Sequence, residues 1–542
     1  MTEEAVVPVE PGRDVTDATS ADGAAGGYVL EQAVPLSRSR LWELQRAFYV
    51  RQGLGAWGAG PVPHHITSNP RIAAAYAEVI VAFLRDCDAA GRLDRSQRFF
   101  VLELGSGSGR FGYLLLRRLR RLLAATSLRD LPLTVVLTDF DVAKLGQLAA
   151  HPTLQADLAE GWLDLATVDA AAPGEVRTWR TGEVLEGQPL VVIANYVFDS
   201  VPADAFFLQG GVAHEARLSL HAAAPDVDLD DPGALELLSF VWDAATGAAP
   251  STGNLDIDAV IARYAEVLGS TVVLLPTAAI ACLEQLADAA SAPVLALVAD
   301  KGWAQGRELF GQGWPGIVPH GGCFSLMVDF NAIAQVVRAR GGTAMVPAHR
   351  AQHLVVGAFV LGDVHPAETS VRYADQLAEG GPDDIYTART GTGPVGERLT
   401  LEQALSMLRI ARFDTQVFFE LFGPLRELAP EAAGPVKADL ALAVQHVYED
   451  WFPIGEAVDV ALCLGQVLAD IDHHREALEL FAASLQGRGP HPDVHLAAAR
   501  SHHALGDLDA AMQEVHDALA LAPGLEGARA LAAEIETARQ YL

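Results

Sequence analysis

The stretch from Phe99 to Gly112, FFVLELGSGSGRFG, decides how the fold of this chain is interpreted. Apolar residues lead into glycines at every second position from 105 to 109, and Glu103 stands just before them. Glycines lack a Cβ atom and let a ligand approach the backbone closely, often at the start of a helix. The stretch therefore predicts a buried strand, a tight turn and a helix start that together hold a ligand.

Short apolar runs alternate with helical segments beyond this stretch. The predicted strands are LTVVLTD at 133–139, LDLATVD at 163–169, PLVVIAN at 189–195, VLALVAD at 294–300, FSLMVDF at 324–330 and HLVVGAFVL at 353–361. The alternation predicts an α/β fold, in which a mostly parallel sheet carries helices on both faces. Residues 211–290 interrupt the alternation and are predicted to be an insertion over the site.

Shifts in composition divide the rest of the chain. Residues 1–27 are acidic and rich in Ala, Gly and Thr, which predicts a disordered tail. A helical pattern follows over 28–98 and is expected to cover the site, ahead of the α/β domain at 99–362. Residues 363–400 are dense in Gly, Pro and Asp and predict a linker. The pattern is helical again over 401–542.

The helical tail contains an internal repeat. DHHREALELFAASL at 472–485 and GDLDAAMQEVHDAL at 506–519 superpose with a period of 34 residues. The period and the pattern resemble the tetratricopeptide repeat (TPR), with the clearest units at 458–491 and 492–525. Such repeats form extended concave surfaces, so we expect this domain to dock a protein or peptide.

The bulk composition restricts the partners and the compartment. The chain has 542 residues and a formal net charge of −31, which argues against nucleic acid or an anionic membrane as the main partner. Its four cysteines are scattered without metal-ligand spacing, so we expect no metal site and a reduced, cytoplasmic setting. The sequence predicts no signal peptide and no membrane-spanning stretch.

Two cofactors fit the glycine loop. Residues 107–112, GSGRFG, match the dinucleotide fingerprint, whereas E-x-G-x-G-x-G is typical of S-adenosylmethionine (SAM) enzymes. The strand ends favour SAM over a nicotinamide cofactor, because an acidic residue ends the second strand about thirty residues after the glycines and an Asn followed by an aromatic residue ends the fourth. The predicted SAM-binding residues are Glu103, Gly105, Gly107, Gly109, Asp139, Phe140, Asp169 and Asn195.

Each part of the cofactor has an expected contact. The loop amides meet the amino-acid part of SAM at a helix N-terminus, and Glu103 holds its amino group. Asp139 accepts hydrogen bonds from the ribose hydroxyls. Phe140 flanks the adenine, and Asp169 accepts from the adenine amino group. These contacts aim the methyl group at the carboxyl ends of the strands, where open α/β sheets bind ligands.

Blocks outside the glycine loop carry a family resemblance. In chain order they are HHITSNPRIAAAYAEVI at 64–80, VLELGSGSGRFG at 101–112, IANYVFDSVPADAF at 193–206, VLALVADKGW at 294–303, GGCFSLMVDFNAIAQVVRARGG at 321–342 and HRAQHLVVGAFVLG at 349–362. Together they resemble the MidA-like family of SAM methyltransferases over roughly residues 40–362. The family includes the mitochondrial complex I assembly factor, a protein arginine methyltransferase. The resemblance implies a Rossmann-like class I methyltransferase sheet and places His64, His65 and His320 near the pocket.

One position departs from the family pattern. The family usually has a glutamate after the strand-four Asn, where this chain has Tyr196, while Asn195, Asp199 and Pro202 match. A pair of carboxylates would suit a guanidinium by charge and by paired hydrogen bonds. Because this chain has Tyr196 in place of one of them, the sequence leaves open whether arginine is the acceptor. Asp199 is predicted to orient the acceptor or to act as general base. Tyr196 is predicted to contact the acceptor, and these two residues are the catalytic candidates.

These observations leave three functions open. The leading prediction is a SAM-dependent methyltransferase that modifies a protein or peptide docked by the TPR-like domain. The first alternative is a small-molecule N- or O-methyltransferase of specialised metabolism, in which the repeats serve dimerisation. The second alternative is an assembly or scaffold protein that binds SAM without turnover. The acceptor, the methylated atom and a homodimeric state are left open by the sequence.

Overall fold

The computed structural model describes residues 27–57, 65–245, 251–391 and 399–540. The expected disordered tail, apart from Gly27, and His64 lie outside the described residues. The chain divides into two compact units, Met1–Arg389 and Thr390–Leu542, which are described separately below.

The strands all belong to the first unit. In chain order they are β1 Tyr28–Pro35, β2 Phe99–Leu104, β3 Leu133–Asp139, β4 Leu163–Thr167, β5 Leu190–Asn195, β6 Asp204–Gln209, β7 Val212–Ala222, β8 Leu238–Ala244, β9 Thr271–Leu275, β10 Val294–Asp300, β11 Gly302–Trp303, β12 Val318–His320, β13 Cys323–Ser325, β14 Val328–Asp329, β15 Thr343–Met345 and β16 Val355–Leu361.

The helices occur in both units. Those that begin in the first unit are α1 Leu41–Gln52, α2 Pro70–Ala89, α3 Arg110–Ala124, α4 Val142–Ala149, α5 Gln155–Glu160, α6 Leu255–Val267, α7 Thr277–Ala290, α8 Phe330–Ala339, α9 Ala367–Tyr373 and α10 Pro382–Gly391. Those of the second unit are α11 Leu401–Ile410, α12 Thr415–Leu428, α13 Gly434–Glu449, α14 Val460–Asp470, α15 His474–Arg488, α16 Pro492–Ala504, α17 Leu508–Leu521 and α18 Glu526–Gln540. Within the described ranges, no helix combines the length and the apolar character needed to cross a bilayer.

The main sheet has seven strands in the order β15-β16-β10-β5-β2-β3-β4. The five strands from β4 to β10 run parallel, and β16 is antiparallel to both of its neighbours. The prediction of an α/β fold with a mostly parallel sheet is confirmed. The strand order reverses between β2 and β5, and in open α/β sheets ligands bind at the carboxyl ends beside such a reversal.

The central strands owe their position to their composition. All six residues of β2 and all seven of β3 are buried, which fits strands covered on both faces. Helix α2 packs against α3 beside them. Asn69 starts α2 by accepting the amides of Arg71 and Ile72, and Pro70 occupies the first helical position.

A second sheet corrects two expectations. Strands β1, β7, β6 and β9 form an antiparallel sheet in that order, and β8 pairs with β7. The helical expectation for 28–98 is therefore wrong at Tyr28–Pro35, which is strand because it pairs with β7 from far along the chain. Most of the predicted insertion 211–290 belongs to this second sheet and its helices, rather than to a cover over the site.

Residues 363–400 are not simply a linker. They contain α9 and α10, and the boundary between the compact units falls near the end of α10 rather than at 400. Helix α9 forms because Asp86 caps it, accepting the amides of Glu368 and Thr369 at 3.0 and 2.9 Å. This cap comes from α2, far away in sequence, so the local Gly and Pro content did not reveal the helix.

The predicted strand FSLMVDF is also interrupted. It divides into β13, β14 and the first residue of α8. Asp329 caps α8 by accepting the amide of Ala332 at 2.9 Å, which ends the extended segment there.

The second unit is helical, and consecutive helices pack against one another from α14 to α18. Gly465 lets α14 approach α15, since a Cβ atom at this position would lie 2.6 Å from the Phe481 ring. Helices α15 and α17 begin at His474 and Leu508, which matches the 34-residue period. Identification of these helices as a TPR stays a prediction.

Candidate functional site

A cavity of about 260 Å³ lies at the carboxyl ends of the parallel strands, beside the reversal between β2 and β5. The predicted residues that line it are Glu103, Gly105, Gly107, Asp139, Phe140, Asp169, Asn195, Tyr196 and Asp199. Gly109 does not line the cavity but precedes the first residue of α3. None of the described residues of 211–290 lines it, so the expectation that this insertion covers the site is wrong. Helix α1 and the segment around β13 contribute further parts of the wall.

The glycine loop is held in a left-handed backbone conformation. Gly107 has a φ of +55°, and a Cβ atom there would lie 3.0 Å from the Trp57 ring. The amide and the hydroxyl of Ser106 both donate to the carbonyl of Thr138, at 2.8 and 2.9 Å, which fastens the loop to β3. A side chain at Gly107 would therefore meet both a strained backbone and an aromatic ring.

Glu103 is a buried carboxyl with an unsatisfied oxygen. Its Oε2 has no hydrogen-bond partner among the described residues, and the amide of Gly112 donates to the carboxyl group. Burial raises the pKa of Glu103 to about 8, and the Gly112 amide opposes part of this rise. Gly112 leaves room for the carboxyl, because a Cβ atom there would lie 2.5 Å from Oε2. Glu103 thus lines the cavity with a buried carboxyl whose Oε2 lies on the side of Gly112.

Asp139 forms a buried ion pair with Lys144 of α4. Both side chains are almost completely buried, and the Lys144 ammonium also lies 4.5 Å from the centroid of the Trp57 ring. The amide of Asp141 donates to Asp139 Oδ1 at 3.0 Å. The carboxylate that was predicted to bind the ribose is therefore paired with a lysine of the same chain.

Arg46 of α1 joins the two residues that were predicted to contact adenine. Its guanidinium carbon lies 4.2 Å from the centroid of the Phe140 ring, and its Nη1 donates to Asp169 Oδ2 at 2.7 Å. The amide of Ala171 donates to the other Asp169 oxygen at 3.0 Å. Arg46 thus lies over the part of the cavity where a planar ring would stack.

Asn195 fixes the wall of the cavity. Its Oδ1 accepts the Tyr76 hydroxyl of α2 at 2.9 Å, and its Nδ2 donates to the Thr67 carbonyl at 3.2 Å. The side chain ties β5 to the segment that precedes α2. Its observed contacts are with protein groups, and direct contact with a cofactor stays a prediction.

Tyr196 has an unusual backbone. Its φ is +53°, a left-handed value that costs a residue with a side chain about 1–3 kcal/mol. Its amide donates to the Ala299 carbonyl of β10 at 2.8 Å. Burial, followed by the nearby carboxyl of Asp199, raises the pKa of the Tyr196 hydroxyl, which keeps it protonated. The turn at Tyr196 directs the chain into the short helix Phe198–Ser200.

Asp199 lies at the far end of the cavity beside a second buried acid. The Ser200 hydroxyl donates to Asp199 Oδ1 at 2.8 Å. Asp300, the last residue of β10, is fully buried and accepts the amide of Phe198, the residue before Asp199. Burial raises the pKa of both carboxyls, and that of Asp300 rises further because Asp199 is close to it.

Two side chains near Asp199, those of Tyr49 and Cys323, are uncharged near neutral pH. Tyr49 of α1 lines the cavity together with Ser200 and Cys323. Burial raises the pKa of the Cys323 thiol to about 11 and raises that of Tyr49 further. Lys301 also lines this end of the cavity and is exposed.

Of the three histidines that the family resemblance places near the pocket, only the side chain of His65 is described. His65 begins a single helical turn and does not line the cavity. The side chain of His320 lies outside the described residues.

Several lining residues were not found from the sequence. They are Arg46, Tyr49, Trp57, Lys144 and Lys301. The helical spacing of Arg46 and Tyr49 shows only that they share a face of α1. Asp300 was detectable, because it ends a predicted parallel strand just as Asp139 and Asn195 do.

Comparisons with known proteins give little. No protein-family model matches the chain, and no curated protein matches it. Two solved structures from Burkholderia thailandensis are similar at 19% sequence identity. One, an uncharacterized ACR superfamily protein, has a TM-score of 0.36, with 58% of this chain and 74% of that chain covered. The other is described as a superfamily member and "likely methyl transferase" bound to S-adenosyl-homocysteine, and has a TM-score of 0.37, with 58% and 75% covered. Likeness at this level carries no argument about activity.

Proposed function

We propose that the protein is a SAM-dependent methyltransferase. The observation that carries the proposal is a row of three acidic side chains in one cavity, Glu103, Asp139 and Asp169, at or just beyond the ends of the adjacent strands β2, β3 and β4. SAM has three donor groups in the same order along its length: an ammonium, a ribose diol and an adenine amino group. The acidic row and these donors are complementary.

The residues present fit this cofactor. Glu103 lines the cavity with a buried carboxyl, and an ammonium bound beside it would offset the cost of that burial. Asp139 and Asp169 are held by Lys144 and Arg46. The ribose diol and the adenine amino group of SAM would bind these two carboxylates, either beside the cations or in their place. Phe140 offers a ring face at the same end of the cavity.

The chain supplies positioning and a proton acceptor. When bound, SAM provides an electrophilic methyl group on a positively charged sulfur. The walls of the cavity would hold the acceptor in line with that group, which is the main requirement of a displacement reaction. Asp199 lines the cavity with a donor from Ser200, and its carboxylate would take the acceptor's proton.

A nicotinamide cofactor is the weaker alternative. In the dinucleotide-binding order, a sixth parallel strand continues the sheet, whereas β16 is antiparallel here. The last glycine of the fingerprint, Gly112, also makes room for the Glu103 carboxyl. The Glu103 carboxyl would repel a pyrophosphate whenever it is ionised.

The family, the acceptor and the compartment are finer proposals. We propose a MidA-like enzyme whose acceptor is a protein or peptide, docked by TPR-like helices within 401–542. The support is the sequence pattern. A small-molecule acceptor is favoured by a different observation, the apolar wall where the Trp42 and Phe324 rings lie 5.2 Å apart. We propose the cytoplasm because all four cysteines, which lie in the described residues, are free.

One labelling experiment distinguishes these acceptors from a scaffold without turnover. The full chain is incubated with methyl-radiolabelled SAM and a cell lysate, with Asp199→Asn as the control. A labelled protein band that depends on Asp199 supports a protein acceptor. Label confined to small molecules supports the first alternative. Binding of SAM without transfer of label favours the scaffold and contradicts the enzymatic proposal.

A further inference from the structure

We propose that Asp300 is a positioning residue that shares one proton with Asp199, so that the pair presents a single negative charge to the cavity. The inference rests on the proposed methyltransferase function, because it concerns the residue that would take the acceptor's proton. It assigns a role to a buried side chain that does not itself line the cavity.

The sheet places the two acids together. Strands β5 and β10 are parallel neighbours, with Asn195 opposite Ala299. Beyond β5 the chain turns at Tyr196, and the amide of Phe198 donates to Asp300 Oδ2 at 3.2 Å. The following residue, Asp199, is thereby held beside Asp300, and the two side chains are 5% and 0% exposed.

The burial of two adjacent acids favours one proton on the pair. Asp300 Oδ1 is buried and has no donor among the described residues unless a carboxyl of the pair is protonated. Two carboxylates cannot donate to each other, and two adjacent buried negative charges are strongly disfavoured. Each acid accepts one donor, the Phe198 amide for Asp300 and the Ser200 hydroxyl for Asp199. Asp300 is the member that holds the proton, because it is the more deeply buried, whereas Asp199 lines the cavity with Lys301.

The side chains around Asp199 and Asp300 do not alter the single negative charge of the pair. Those that face it are Ser200 and Tyr196 from the same segment, Tyr49 from α1, Tyr76 from α2, Cys323 from β13 and Lys301 after β10. Burial raises the pKa of the tyrosines and of the thiol, so they stay neutral. Within this set, Lys301 is the cation.

With Asp199 ionised and Asp300 protonated, every bond and proton of the proposed methyl transfer is accounted for. In methyl transfer to an acceptor N–H or O–H, a bond forms between the acceptor atom and the methyl carbon. The carbon–sulfur bond breaks, its electron pair stays on sulfur, and the acceptor's proton moves to the Asp199 carboxylate. The proton on Asp300 keeps Asp199 ionised beside it by donating a hydrogen bond, and it is not consumed.

The first test is a charge measurement that needs neither cofactor nor acceptor. Capillary electrophoresis of the native full chain at neutral pH compares the wild type with Asp300→Asn, and with Asp226→Asn as an exposed control. The proposal predicts that D300N keeps the wild-type net charge, whereas D226N becomes less negative by one charge. A loss of one negative charge in D300N would show that Asp300 is ionised and would overturn the proposal.

The second test separates positioning from a structural role. The ratio of the SAM and S-adenosylhomocysteine affinities is measured from about pH 5 to pH 9, because only SAM carries the positive sulfur. We expect the preference for SAM over S-adenosylhomocysteine to be lost as the pH falls, because Asp199 becomes protonated. The pH midpoint of this loss should be the same in D300N as in the wild type, since the Asn amide still donates a hydrogen bond to Asp199. In Asp300→Ala the midpoint should rise by about one pH unit, as one hydrogen bond to the carboxylate is lost. Equal midpoints in wild type and D300A would contradict the role. If neither SAM nor S-adenosylhomocysteine binds the wild type, the proposed function is wrong. The charge measurement then still shows whether Asp199 and Asp300 share one proton.

Discussion

Lys144 and Asp139 form an ion pair in which both side chains are almost completely buried inside the candidate cofactor cavity. The lysine comes from the first turn of α4, and Asp139 is the last residue of β3. Breaking a buried pair by removing one partner leaves an uncompensated charge, which is far more costly than loss of an exposed pair. The pair therefore contributes to stability as well as to the site.

Replacement of Lys144 should destabilise the ligand-free chain. We expect Lys144→Met to lower the free energy of unfolding by about 3–5 kcal/mol, measured by urea denaturation. The matched control is Arg177→Met, whose partner Glu175 is 62% exposed, and a loss within about 1 kcal/mol is expected there. Equal losses in both variants would mean that the Lys144 pair is not buried in solution.

Asp139→Asn should weaken SAM binding at least about tenfold, because two charge-assisted hydrogen bonds worth about 1.5–3 kcal/mol each would be weakened. Calorimetric titration of the full chain measures this. Asp329→Asn is the control, since Asp329 is equally buried but caps α8 outside the cavity. Unchanged affinity in D139N would show that Asp139 does not bind the ribose.

Glu103 should make the ligand-free chain less stable as the pH rises. Its pKa in the folded chain is about 8, above the value in an unfolded chain. Between about pH 4.5 and pH 8 the folded state therefore binds more protons, and stability falls as the pH rises through this window. Glu103→Gln should remove that part of the pH dependence in urea unfolding, whereas the exposed Glu266→Gln should not. Parallel pH profiles for wild type and E103Q would contradict the burial of an unsatisfied carboxyl.

The second unit offers a prediction about Asp459. A TPR register would place Asp459 and Asp493 on the ligand-binding groove, but the Asp459 side chain is used inside the fold. It accepts the amide of Leu462 at 2.9 Å and the hydroxyl of Ser484 at 2.6 Å. We expect Asp459→Ala to lower the stability of this unit by about 1–2 kcal/mol, the usual cost of a lost helix cap. The exposed Asp493→Ala should have a smaller effect, and the opposite order in thermal unfolding would contradict the cap.

Part of the site could be predicted from the sequence for a simple reason. In a parallel sheet the carboxyl ends of neighbouring strands meet along one edge, so Glu103, Asp139, Asp169 and Asn195 were expected to line one cavity. Their type and order also indicated the cofactor. Asp300 obeys the same rule, and its position at the end of β10 could have been used.

The rest of the site depends on contacts that are distant in sequence. Arg46 reaches Asp169 only because α1 docks over the strand ends, and no local pattern gives that position. Strand β1 forms through its pairing with β7, almost two hundred residues later. Lys144 was hidden for another reason, because a lysine in the first turn of a helix is normally solvated and here it is buried against an acid.

Calorimetric titration of the full chain with SAM, S-adenosylhomocysteine and NADH tests the central claim most directly. We predict that SAM and S-adenosylhomocysteine bind at one site, that NADH does not compete with them, and that Glu103→Gln weakens SAM binding because the ammonium loses its carboxylate. Failure of SAM to bind at millimolar concentration, or displacement of SAM by NADH, would contradict the claim that this cavity is the site of a SAM-dependent methyltransferase.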